Sequence, residues 1–130
     1  MDLTSTERFY CGKASGEVVI RDRRRTDMLR PRPDLSGQGP GPFTWGKNGA
    51  GAARLAVALL ADALCDDATA KRFHQDFRHR VISNFPDRWT ITRTRILAYV
   101  RVMRYQSDEA DGAALDDVMP QDEQVAAPGR

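Results

Sequence analysis

Along the chain, hydrophobic and polar positions switch period several times, and each switch marks an element. In RFYCGKASGEVVIRD, residues 8–22, two short runs flank the turn-prone Lys13-Ala14-Ser15-Gly16. Val18 and Ile20 alternate with Glu17, Val19 and Arg21, which predicts a β-hairpin with one buried face. From residue 23 to 42 the pattern dissolves into RRTDMLRPRPDLSGQGPGP after the leading Arg23, with four prolines and three glycines. Proline excludes helix interiors and central strands, so this segment is expected to be an irregular crossing loop, anchored locally by Met28 and Leu29. Residues 50–65 are nearly continuous Ala, Leu and Val, with Leu55, Leu59, Leu60 and Leu64 spaced for a wide buried helix face. Asn48 is a candidate N-cap for that helix, and Asp66 or Asp67 for the next.

A second helix over about residues 68–83 places Ala70, Phe73, Phe77 and Val81 on one face, against a largely basic opposite side. Arg88-Trp89-Thr90-Ile91 reads as a short strand, and Thr92 as the N-cap of a third helix running to about Tyr105. In that helix Ile96, Val100 and Met103, with Leu97 and Tyr99, form the expected buried stripe. The sum is an α+β domain: a small antiparallel sheet, made of the N-terminal hairpin and a short strand near Trp89, packed against about three helices. Residues 1–106 constitute this single domain, with the irregular Arg/Pro/Gly loop at 23–42. Residues 107–130 are acidic, poor in aromatics and unperiodic, and are expected to be a disordered tail.

Charge changes the picture more than composition does. The chain of 130 residues has a formal net charge of only +2. Residues 1–106 hold 19 Lys and Arg against 11 Asp and Glu, while residues 107–130 hold one Arg against seven acids. A basic body thus precedes an acidic tail. No apolar run approaches the length of a membrane span and the N-terminus lacks a secretory pattern, so a cytoplasmic, membrane-free setting is expected. Two cysteines, Cys11 and Cys65, are too few for a disulfide framework.

Candidate chemistry is sparse. The loop Trp45-Gly46-Lys47-Asn48-Gly49-Ala50-Gly51 lacks the Lys-Ser/Thr ending and the glycine spacing of a nucleotide-binding loop. It leaves one generic anion subsite beside Lys47, or a glycine turn that lets backbone and helix pass closely. His74 and His79 lie about 140° apart around a helix and make no metal pair with Cys11 or Cys65. No nucleophile–base arrangement stands out, so no enzyme, cofactor or metal is expected. Arginine is the remaining signal: Arg21, Arg23, Arg24, Arg25, Arg30 and Arg32 fall within twelve positions. They suit a phosphate backbone or an acidic protein surface, with Tyr10, Trp45 and Trp89 as stacking candidates.

Tyr10-Cys11-Gly12, Val18-Val19-Ile20, Phe43-Thr44-Trp45-Gly46, the helix from Leu55 to Leu64, Phe77 and Trp89-Thr90-Ile91 together resemble a small family, a domain of unknown function found in bacteria, phages and plasmids. The likeness spans about residues 8–103; Lys47 replaces a usual aromatic, Ala50 a usual serine, and the Arg/Pro segment at 21–42 is unusually long. It brings no activity with it. It implies cargo of a phage or mobile element, where small proteins act by binding host machinery. The leading expectation is therefore a non-enzymatic binding protein that inhibits a host defence system in an anti-CRISPR-like manner, its partner a host protein or protein–nucleic-acid complex. The alternative is a nucleic-acid-binding accessory protein using the Arg-rich loop.

Overall fold

The computed structural model of the chain describes residues 7–118, with side chains as far as Asp108. Phe9–Gly12 (β1) and Val18–Arg21 (β2) form the expected antiparallel hairpin, with Tyr10 opposite Ile20 and Gly12 opposite Val18. Trp89–Thr92 (β4) joins the far side of β1, Gly12 facing Trp89 and Tyr10 facing Ile91. The sheet has a fourth strand that the pattern of the chain did not predict. Thr26–Met28 (β3) pairs with β2 inside the stretch expected to be irregular, giving the antiparallel order β3-β2-β1-β4. All three β3 residues are exposed, so no alternation marks it.

The same stretch contains a one-turn helix, Pro33–Ser36 (α1), whose proline stands in the first turn where its missing N–H is harmless. Arg54 fastens the chain just beyond α1. Its guanidinium donates to the carbonyls of Gln38, Gly39 and Pro42 at 3.1, 3.1 and 3.4 Å. The 23–42 segment is therefore a strand, a helical turn and a stapled loop. Leu29 anchors it as expected, but Met28 does not, being 49% exposed.

Ala50–Leu64 (α2) is the centre of the core, with eleven of its fifteen residues buried. Such a helix must be covered on several sides. One cover is the sheet, since Tyr10 reaches α2 from the strand face that also carries Ile20 and Ile91. Another is Asp67–Arg80 (α3), which presents Ala70, Phe73 and Phe77. Asp66 caps α3 by accepting from Thr69 N, as expected. Asn48 does not cap α2: Gly49 is the N-cap without a side-chain bond, and the Asn48 amide meets the His79 ring at 3.0 Å.

Arg93–Val118 (α4) starts at Thr92, whose hydroxyl accepts from Arg95 N. Ile96, Val100 and Met103 are buried. The helix does not end near Tyr105. Residues 107–118 continue it, which corrects the expected disorder for that part of the tail. Glu109, Ala110, Ala113, Ala114 and Leu115 are strong helix formers and proline is absent until Pro120, so acidity alone misled. The rest of the expected tail lies outside the described residues. The described residues fall into two compact units that part between Tyr99 and Val100.

Candidate functional site

The sequence-predicted arginines surround a polar network at one end of the sheet. Arg8, just before β1, grips Asp62 of α2 with two bonds, Nε to Oδ2 at 2.8 Å and Nη2 to Oδ1 at 3.1 Å. Its Nη1 donates to Asp22 Oδ2 at 2.7 Å. The Tyr10 hydroxyl donates to Asp62 Oδ2 at 2.5 Å from a fully buried ring. Burial, then the neighbouring Asp62 carboxylate, pushes the Tyr10 phenol well above its usual range. Asp62 likewise raises Arg8, so this cation stays charged throughout.

Asp22 turns that network into a platform for the loop beyond it. Its Oδ1 accepts from the backbone N–H groups of Arg24 and Arg25 at 2.9 and 3.1 Å, closing the β2–β3 turn. These N–H groups, with Arg8, hold the Asp22 carboxyl below the usual range. The turn is thus fixed while the side chains of Arg23, Arg24 and Arg25 stand in solvent. Arg23 and Arg24 line a cleft of about 380 Å³ with Arg8, Asp22 and Arg93. Arg93 is itself oriented by donating Nε to the Ala63 carbonyl at 2.7 Å, near the end of α2 where a cation suits the helix dipole.

Not every predicted residue belongs to this group. Arg32 sits between Asp34 and Asp67, at 2.9 and 2.7 Å, so its charge is used internally. Arg25 and Arg30 border a second cleft of about 400 Å³ with a floor that includes Ile20 and Leu29. Arg25 approaches Asp27 only at 3.8 Å and remains largely exposed. Arg21, Arg23, Arg24 and Arg30 form no ion pair among the described residues. Lys47 lies apart, in a shallow hollow of about 230 Å³ with Phe43, Trp45 and Asp87 beside the β1–β2 turn, at the other end of the hairpin.

The proposed stacking aromatics are mostly core. Tyr10 is fully buried and Trp89 is 6% exposed, with Phe85 stacked on it at 4.4 Å. Trp45 meets Trp89 edge-on at 5.5 Å and donates its indole N–H to the Asp87 carbonyl. Arg8, Asp22 and Arg93 were missed by sequence reasoning. Nothing local marks them, because their partners lie on other elements.

The glycine loop before α2 is explained by packing. Gly46 has φ of +77°, a left-handed conformation that favours glycine. A Cβ on Gly51 would lie 2.3 Å from Thr44 Oγ1. Among the described residues no cluster of three or more His, Cys, Asp or Glu could hold a metal ion. No helix among them is long and apolar enough to cross a membrane.

Fold and site together define a small α+β domain with a fixed arginine turn at one corner of its sheet. Residues 10–102 match the model of a family of unknown function, DUF6166, and the chain belongs to that family. No curated protein and no solved structure matches the chain.

Proposed function

We propose that this chain is a non-enzymatic binding protein that uses its β2–β3 turn to capture a polyanionic partner. The observation that carries the reading is the turn itself: Asp22 fixes its backbone while Arg23 and Arg24 project without internal counter-ions among the described residues. A preorganised cluster of arginines loses little freedom on meeting phosphate or carboxylate, and Arg8 and Arg93 enlarge the same positive corner. The partner is a nucleic acid or a host complex that carries one. Interference with a nucleic-acid-guided defence complex, in a phage or mobile-element setting, is the biological role this binding mode suits.

The test is binding to heparin and to labelled oligonucleotides over a salt series. Affinity is expected to fall steeply with salt, and Arg23→Ala/Arg24→Ala/Arg25→Ala to flatten the log–log slope by about two to three charges' worth. Binding that ignores both salt and the triple substitution refutes the reading.

A further inference from the structure

The open face of the sheet extends the arginine turn into a platform. Tyr10 points to α2, so by the alternation of a strand Phe9 and Cys11 point to the opposite face. The register then places Thr92, Phe9, Arg21 and Thr26 in one row across all four strands, in that order. A second row holds Thr90, Cys11, Val19 and Met28, and the Thr90 hydroxyl meets Cys11 Sγ at 3.7 Å across it. Apart from Val19, every member of the two rows is exposed or half-buried.

We infer that this face binds single-stranded nucleic acid, with one base stacked on Phe9 and its flanking phosphates held by Arg21 and the adjoining β2–β3 turn. The inference rests on the proposed capture of a polyanion and names its class. Phe9 and Arg21 are directly opposed, with Cβ atoms about 5 Å apart by the geometry of such pairs. An aromatic ring beside a guanidinium on an exposed strand surface is an arrangement that accepts an unstacked base and its phosphate together. Charge points the same way. Neither row contains a carboxylate: Asp27 belongs to the opposite face, Glu17 lies at the far end beside the β1–β2 turn, and Glu7, just before the first row, accepts from the N–H groups of Arg8 and Thr94. Arg23 and Arg24 follow Arg21 at the Phe9 end of the sheet, so arginine gathers beside the first row.

Addition of a protein strand fits less well. The edge strand β3 has its Met28 N–H occupied by the Asp27 carboxylate at 2.9 Å, which blunts the edge for pairing. A duplex fits less well too, because its bases are stacked inside and unavailable to Phe9.

The experiment measures fluorescence anisotropy of a labelled oligothymidine of about 15 nucleotides, the same length of duplex, and labelled poly-glutamate, with the full chain. Phe9→Leu keeps the apolar body but loses the aromatic face; circular dichroism and thermal melting verify its fold, and Phe9→Tyr serves as the conservative variant. Phe9→Leu is expected to weaken single-strand binding about 10-fold with its salt slope unchanged, while Phe9→Tyr binds as the parent does. Arg21→Ala is expected to lower the salt slope by about 0.7, the contribution of one phosphate on a single strand. Equal affinity of parent and Phe9→Leu, with loss on substituting Arg23, Arg24 and Arg25, overturns the platform and leaves the turn as the binding element. Preference for duplex or for poly-glutamate overturns the single-strand assignment. No binding to heparin or to any of these probes at low salt removes the polyanion reading itself.

Discussion

Gly12→Ala is the substitution whose cost can be read most directly from the packing. A Cβ built on Gly12 would stand 2.1 Å from Trp89 Nε1, 2.2 Å from Cε2 and 2.7 Å from Cζ2, all of one rigid indole. Ordinary carbon contacts are about 3.5–4.0 Å, so the ring must move by more than about 1 Å. It has nowhere easy to go. Phe85 stacks on it with centroids 4.4 Å apart and Trp45 closes against it at 5.5 Å. Trp89 is also bound into the sheet opposite Gly12 itself. Overpacking of a core costs about 1–3 kcal/mol, and this rigid overlap belongs at the upper end, about 3 kcal/mol. For a domain of this size that lowers Tm by about 12–24 °C. Thermal and urea unfolding, followed by circular dichroism, measure the loss. Trp89→Leu alone is destabilising because it empties the cluster, but the double variant Gly12→Ala/Trp89→Leu is expected to fall short of additivity by more than about 1 kcal/mol. A Gly12→Ala protein that melts within about 3 °C of the parent, or a strictly additive double variant, refutes the reasoning.

Three further predictions concern the same core. Asp62→Asn leaves the buried Tyr10 hydroxyl and the Arg8 guanidinium without their shared carboxylate; since Asp62 and Arg8 are each about a quarter exposed, the expected loss is about 2 kcal/mol, read as a shift in the urea midpoint. Because the folded Tyr10 pKa lies above the unfolded value of about 10, its stabilisation is complete below that pH and is lost as pH rises toward the folded value. Tyr10→Phe is therefore expected to remove part of the alkaline decline in stability, and identical alkaline limbs would contradict the assignment. Gly51→Ala is expected to cost about 2 kcal/mol through its clash with Thr44, with Thr44→Ala recovering part of it; a neutral Gly51→Ala disproves the close approach.

Much of the fold was legible because it repeats a period. Val18 and Ile20 announced the hairpin, and the near-continuous apolar run of α2 announced a helix covered on several sides. Asp66 and Thr92 marked helix starts through ordinary capping chemistry. The elements that escaped had no period to show. Thr26–Met28 is a strand only because β2 offers it partners, and Pro33–Ser36 is a single turn. The helix beyond Tyr105 was hidden for a different reason: its acids read as tail, although its alanines favour helix.

The arginines were equally visible, but their division of labour was not. Sequence proximity made Arg21, Arg23, Arg24, Arg25, Arg30 and Arg32 look like one cluster. Folding brings Asp67, 35 residues away, onto Arg32, and Asp62, 54 residues away, onto Arg8. Arginines that meet carboxylates become part of the framework; those left in solvent by the Asp22 turn become the candidate site. Phe9 obeys the same logic. Its neighbour Tyr10 looked the better stacking residue, yet the strand's alternation sends Tyr10 to Asp62 and leaves Phe9 on the open face beside Arg21. Gly12, Thr44, Gly46 and Trp89 all have packing duties in this structure. The proposed binding turn stands on a corner of the sheet that this packed core supports.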